Sequence, residues 1–337
     1  MGADVTVLSV ARPRIAATAL AAAAWGACRL CPRPPSEGVR LIWRGRGVGR
    51  CVPATAAGLA AHGARPVTLA GMPALVLAGD SWAEAMEIAG QVLSPDGHAA
   101  ADCPKRTGPF ERNGAAERIQ VLDDAGRPLR AVPRGLAVPL GLRMAGVHLT
   151  GFVASGHGVG APGTLLLARR GVRKDSHPGQ LDTLAGGVRR FGECASACLR
   201  REAWEEAGLP ASVLRAARSF GAVSFDLAVP GGYARGRAVL AALALPPGWQ
   251  PRPLDGTVCA FHAVPVAPGA AQAPAQLPIR PTAALATVAS LQRGPARAAF
   301  AAGNLARILA AADFRAWPPR PLAAASRGVA GPRPSAG

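Results

Sequence analysis

The chain has 337 residues, half of them hydrophobic, a length and composition sufficient for two domains with ordinary cores. Its net charge of +18 comes from scarce acid and dispersed Arg, with Lys only at 105 and 174, so it points away from a specific nucleic-acid surface and toward a field that steers polyphosphate ligands inward. Seven cysteines, an odd number in no tight framework, exclude a secreted disulfide scaffold and favour a reducing, cytoplasmic setting.

Taken in chain order, Ile15 to Cys28 is uncharged and follows Arg12 and Arg14, but it is too short to span a bilayer, so no membrane partner is expected. It reads as an amphipathic first helix; the Arg-rich, acid-poor first 35 residues keep an organellar transit peptide as the alternative. Cys28 and Cys31 form a lone Cys-x-x-Cys without the second pair that a structural zinc site needs. The sequence then predicts a strand over Val39 to Trp43, a helix from Pro53 ending at Gly63, and two short strands within Val67 to Gly79. A helix through Val92 is capped by Asp80 and Ser81, a polar stretch runs from Ser94 to Gly114, and a hairpin turns around Asp124, Ala125 and Gly126. Residues 1–143 are thus an α+β domain with no motif of its own.

From Val147 the pattern changes. Strands "VHLTGFVAS" and "TLLLARR" flank a Gly-rich loop, Gly156 to Gly163, which lacks the Lys-Ser/Thr of a P-loop. Further strands are expected at Phe220 to Val229, Ala234 to Leu245 and Val258 to Val266, then helices at Thr282 to Arg293 and Pro295 to Asp313. Residues 144–313 therefore read as a second, α/β domain, and 314–337 as a disordered tail of Pro, Ala and Arg.

Between these strands, "GGVRRFGECASACLRREAWEEAGL", Gly186 to Leu209, holds four of the chain's nine Glu. Nothing breaks a helix from Ala195 to Ala207, so Glu202, Glu205 and Glu206, at i, i+3 and i+4, share one face. Like charges so spaced destabilise a helix by about 0.2–0.5 kcal/mol per pair unless a cation sits against them. Mg²⁺, which binds a few carboxylates and keeps its other positions for water and substrate phosphates, suits that face. The competing reading is a solvated acidic face balanced by Arg189, Arg190, Arg200 and Arg201. The wider spacing decides against it. Gly187, five residues, Glu193, seven residues, then Arg201-Glu202-Ala203-Trp204-Glu205-Glu206-Ala207-Gly208-Leu209 coincides by chance less often than roughly once in a million.

This segment resembles the Nudix box in full. The resemblance implies a loop–helix–loop holding Mg²⁺ or Mn²⁺ against a diphosphate, within an α/β/α Nudix sandwich preceded here by the small α+β domain. By that similarity Glu202, Glu205 and Glu206, with the carbonyl of Gly186, are the metal ligands; Glu193 is the upstream acid and Arg201 the orienter. "GVHLTGFV", "LLLARRGVRKDSHPGQLDTLAGG" and the box together resemble the Nudix subfamily related to thiamine pyrophosphokinase, whose members carry an N-terminal domain of unassigned function. The kinase domain is not in this sequence.

That resemblance implies hydrolysis of thiamine diphosphate, or its oxo or oxy forms, to the monophosphate. Two other readings stand beside it: a pyrophosphatase for ADP-ribose or another nucleoside diphosphate derivative, and a non-catalytic Nudix module that senses a diphosphate. Arg169, Arg170 and Lys174 follow a strand leading toward the box and are candidate phosphate contacts, with solvated strand-end cations as the alternative. No Glu follows residue 206, so an acid outside the box falls first to Asp255, which stands in Asp255-Gly256-Thr257-Val258 where relatives have Asp-Gly-Glu-Val. The segment "LDTLAGG" is one residue shorter than in the subfamily, which leaves the facing of Asp182 and Thr183 open. The first domain is read either as shaping the substrate pocket or as joining two copies in a homodimer.

Overall fold

A computed structural model describes residues 15–16, 38–94, 117–154, 163–174, 176–229, 231–246, 248–267, 279–293 and 315–321. The helix expected over Pro295 to Asp313, most of the polar stretch after Ser94, most of the Gly156 to Gly163 loop and the end of the tail lie outside them; of the helix expected over Ile15 to Cys28 only Ile15 and Ala16 are described, and they form a strand instead. Among the described residues no helix is long and apolar enough to cross a membrane.

The first sheet has four strands, β2 (Val39–Trp43), β3 (Arg46–Cys51), β4 (Arg65–Leu69) and β5 (Met72–Val76), in the order β3-β2-β5-β4. Helix α1 (Pro53–Ala61) starts on a proline, whose missing N–H costs nothing in a first turn. Helix α2 (Trp82–Val92) is capped by Ser81, whose hydroxyl accepts the Glu84 N–H at 3.1 Å, while Glu84 reaches back to the Asp80 N–H at 2.7 Å. Ser81 alone is the side-chain cap; Asp80 contributes its backbone. Leu59, Trp82, Met86 and Ala89 from the helices pack with Leu41 and Trp43 of the sheet.

That core does not end at the first sheet. Val121 and Val132 belong to it, and they lie on a hairpin, β6 (Arg118–Leu122) and β7 (Pro128–Pro133), whose turn is the one expected at Asp124 to Gly126. The hairpin also joins the second sheet. Val121 and Leu122 pair with Met144 and Arg143 of β8 (Arg143–Ala154), so the expected domain boundary at 143 coincides with the first residue of a strand that the hairpin shares.

The second sheet runs β1 (Ile15–Ala16), β14 (Val258–Ala267), β9 (Gly163–Arg170), β8, β13 (Gly232–Leu245), β12 (Arg218–Val229) and β15 (Arg315–Pro321). The tail is corrected here: Arg315–Pro321 is not featureless but pairs antiparallel with β12. An outer position explains why its prolines are tolerated, since an edge strand need not donate on both sides.

Strands β8 and β9 pair only from Gly151 to Ala154 and then part. Residues 181–188 thread the gap: β10 (Leu181–Asp182) pairs with β9, and β11 (Ala185–Val188) pairs with β8. This opening positions the site. Helix α3 (Ala195–Ala207) covers one face, packing Cys198, Leu199, Ala203 and Ala207 on Val147, Leu149, Leu166 and Phe261. The other face is covered by α5 (Pro281–Arg293), through Leu285, Ala286 and Ala289 on Phe220, Val223, Ala238 and Leu240. A short α4 (Ala211–Leu214) follows α3. Even and odd residues of β13 serve opposite faces, as a strand's two-residue period requires, and the result is the expected α/β/α sandwich.

Candidate metal and diphosphate site

Helix α3 ends at Gly208, where φ is +65° and the N–H groups of Gly208 and Leu209 close onto the Trp204 and Ala203 carbonyls. A glycine fits there for a second reason, because an added Cβ would lie 2.8 Å from the Arg252 carbonyl. The helix thus stops with its acidic face against β11, and the strand supplies the complementary polar groups. The Arg189 N–H pairs with Ala145 of β8, whereas the Gly186 N–H and Val188 carbonyl turn toward α3. In an extended strand a residue's N–H and C=O point to the same edge, so the Gly186 carbonyl shares that side.

Arg201 organises the acids. Its Nε and Nη2 donate to the two oxygens of Glu193 at 2.9 and 3.0 Å, and Nη1 donates to Glu202 at 2.7 Å and Glu205 at 3.2 Å. Burial opposes the Glu193 charge, but Arg201 and the Arg190 N–H outweigh it and hold the carboxyl below its ordinary range. The same acids push the Arg201 guanidinium further toward its charged form than its burial disfavours it. Glu193 therefore fixes Arg201 rather than facing a ligand itself.

Glu202 and Glu206 are buried. Burial, with Arg201 opposing, raises the Glu202 carboxyl. For Glu206, burial first and then the Glu202 and Asp182 charges push the pKa up to about 8, against one hydrogen bond from the Gly186 N–H at 2.9 Å. The Thr257 hydroxyl also reaches Glu206, at 3.3 Å. Gly187 leaves room for the Glu202 carboxylate, which an added Cβ would force to shift.

The other expected residues separate. Arg169 and Arg170 are neighbours in a strand, so they point to opposite faces. Arg170 is buried on the α3 face with Ala168, but its Nη1 is committed to Asp182 at 2.9 Å and its Nε and Nη2 to the Ser176 carbonyl. It is a strut rather than a free phosphate contact. Arg169 is exposed and lies on the face away from the box. Lys174 feels the acids of the box: burial lowers its pKa, with the Glu206 and Asp255 charges drawing the other way. Asp255 is exposed, and its oxygens accept from the Thr257 N–H and hydroxyl at 2.7–2.9 Å, so Thr257 stands between Asp255 and Glu206.

Sequence reasoning missed a buried group behind Gly186. Asp182 accepts from Arg170 and Arg280, each at 2.9 Å, and from the Thr183 N–H. Burial opposes its charge, yet Arg280, His148 and Arg170 hold its pKa down to about 2. Thr183 Oγ1 lies 2.9 Å from His148 Nδ1 and donates to the Ala185 carbonyl. Arg280 is 98 residues from Asp182, and no spacing signal could have paired them.

As placed, no three of His, Cys, Asp and Glu among the described residues surround a common point as metal ligands, and the carboxylates rest on Arg201, Gly186 and Thr257. The donors nonetheless suit a hard divalent ion: oxygen only, two carboxyls raised by burial, and a glycine cradle around Glu202.

Residues 154–273 match the family described as the NUDIX domain. This span is a NUDIX domain. The chain is 32% identical over 140 residues to Nudix hydrolase 20, chloroplastic, of Arabidopsis thaliana, covering 41% of this chain and 36% of that protein. It is 51% identical over 47 residues to an uncharacterized Nudix hydrolase of Yersinia pestis, covering 14% of this chain and 26% of that one. The chain thus spans about a third or less of the length of the curated relatives it matches. Among solved structures, a Nudix hydrolase from M. smegmatis, RenU, aligns at 20% identity over 54% of this chain and 97% of its own, with a TM-score of 0.32. DR0079 from Deinococcus radiodurans aligns at 19% identity over 44% of this chain and 82% of its own, also at 0.32.

Proposed function

We propose that the chain is a divalent-metal-dependent hydrolase of a small-molecule diphosphate. One observation carries this reading: a single helix end gathers three glutamates, Glu202 and Glu205 on Arg201 with Glu202 seated over a glycine, and Glu206 buried against the Gly186 peptide. Glu202, Glu205, Glu206 and the Gly186 carbonyl would hold Mg²⁺ or Mn²⁺. When bound, such an ion supplies charge neutralisation at the diphosphate and a more acidic water.

The chain's own residues do the rest. Arg201, fixed by Glu193, holds Glu202 and Glu205 beside each other on one helix face, and those carboxylates would turn from Arg201 to take up a cation. Lys174 brings an ammonium to the Glu206 and Asp255 side, where a phosphate oxygen would meet it. A box Glu accepts the proton of the attacking water, and Asp255, held by Thr257, is the second acceptor in reach of Glu206's surroundings.

The resemblance of Gly146 to Leu209 supports thiamine diphosphate, or its oxo or oxy analogues, as the substrate. The test is phosphate-product release by the purified chain with Mg²⁺ or Mn²⁺ across thiamine diphosphate, oxothiamine diphosphate, ADP-ribose, NADH and nucleoside triphosphates, with Glu206→Gln as the blank. Preferred conversion of the thiamine series to monophosphate upholds the full reading. Preference for a nucleotide keeps the hydrolase and discards the substrate; binding without turnover discards the hydrolase.

A further inference from the structure

We infer that His148, Thr183 and Asp182 are positioning residues of the NUDIX metal site: a buried chain of hydrogen bonds that fixes the Gly186 peptide against Glu206. The inference rests on the proposed metal role of the box and assigns residues outside it. Gly186 is the contact between the two groups. On one side its N–H holds Glu206 at 2.9 Å. On the other, a Cβ added to Gly186 would stand 2.8 Å from His148 Nδ1 and 2.8 Å from the Val147 carbonyl, so the Gly186 backbone packs closely against the imidazole.

The imidazole is itself held. Its Nδ1 meets Thr183 Oγ1 at 2.9 Å, and that hydroxyl donates to the carbonyl of Ala185, the residue bonded to Gly186. Thr183 is anchored in turn, because its N–H is fixed by Asp182, which is clamped by Arg170 from β9 and Arg280 from the start of α5. Three elements thus determine one peptide. A peptide left to itself in the gap between β8 and β9 has strand partners on one side only. Without the imidazole and the hydroxyl, Gly186 would be free to tilt, and both its N–H toward Glu206 and its carbonyl would leave their places. Residues that orient ligands in this way typically cost 10–100-fold in metal affinity when removed.

The competing account is that the network merely ties α5 to the sheet, and metal affinity separates the two. Mn²⁺ binding to the full chain would be followed by titration calorimetry, beside thermal unfolding, for wild type, Thr183→Val, His148→Leu and His148→Asn. Thr183→Val removes the hydroxyl at constant shape, and His148→Asn keeps a polar atom near the place of Nδ1. We expect about tenfold weaker Mn²⁺ binding for Thr183→Val and His148→Leu, with His148→Asn returning to within about threefold of wild type. If Thr183→Val and His148→Leu lower the melting temperature but bind Mn²⁺ as wild type does, the positioning role is overturned. Should Thr183→Val not fold, the His148 pair carries the same comparison. A wild-type chain that binds no Mn²⁺ would instead overturn the metal reading of the box, a failure visible before any variant is made.

Discussion

Replacing Glu206 with Gln offers a direct measure of what burial has done to the box. In the folded chain the carboxyl is pushed from its ordinary 4.5 to about 8 by burial and by Glu202 and Asp182. Between those two pH values the unfolded chain has released this proton and the folded chain retains it, so metal-free stability falls as pH rises from about 4.5 to about 8. At about 1.4 kcal/mol per pH unit this interval sets a ceiling of about 5 kcal/mol, with the opposing Lys174 charge already counted in it. Gln has the same shape and can still accept from the Gly186 N–H, but it never ionises. Urea unfolding in EDTA at pH 5, 6.5 and 8 should therefore show equal stability for both chains at pH 5 and a growing advantage for Glu206→Gln toward pH 8. Saturating Mn²⁺ should reverse the order at pH 8, because only the wild type offers the full set of carboxylates. Parallel pH profiles for the two chains would refute the reasoning.

Gly187→Ala should displace the Glu202 carboxylate by direct overlap and lower metal-dependent turnover by about a hundredfold or more, measured as initial rate at saturating Mn²⁺. Arg169→Ala should leave KM for any accepted diphosphate within about twofold, because its side chain lies away from the box. Arg170→Ala should cost about 2 kcal/mol or more of stability in urea by removing a partner of buried Asp182. Burial lowers the His148 pKa to about 4, so the folded chain excludes a proton that the unfolded chain binds below 6.5, and stability should rise between pH 4 and 6.5. His148→Asn should flatten that rise in the same unfolding series.

The legible parts of the site were those set by local periodicity. Glu202, Glu205 and Glu206 share a face because a helix repeats every 3.6 residues, and the box is punctuated by Gly187 in the strand before the helix and Gly208 at the helix end. Arg169 and Arg170 illustrate the limit. Their strand was recognisable, but which of them faces the box depends on a register set by pairing with β14, nearly a hundred residues away. Asp182 could not be assigned a face without knowing that β8 and β9 part around it, and its partner Arg280 lies beyond four further strands. Thr257 broke the subfamily pattern as a residue type, yet its contact with Glu206 exists only because Gly171 and Thr257 are hydrogen-bonded across the strand ends.

The β6–β7 hairpin bears on how the chain can be divided. The Gln120 N–H donates to the Arg189 carbonyl, the Phe191 N–H donates to the Arg118 carbonyl, and Glu117 pairs with Arg190, so the loop entering α3 is stitched to residues that precede β8 by about two dozen positions. A fragment begun at 144 would keep every glutamate of the box and lose the backbone partners of the loop that carries Glu193. Its hydrophobic hairpin residues would be gone as well, and Val188, which packs on the first core, would face water. Cutting before Glu117 preserves the stitching but bares Ile119, Val121 and Val132. The two sheets are therefore inherited together: exchange, excision or fusion at the apparent seam would alter the chemistry at a distance, through a loop that contains none of the proposed metal ligands.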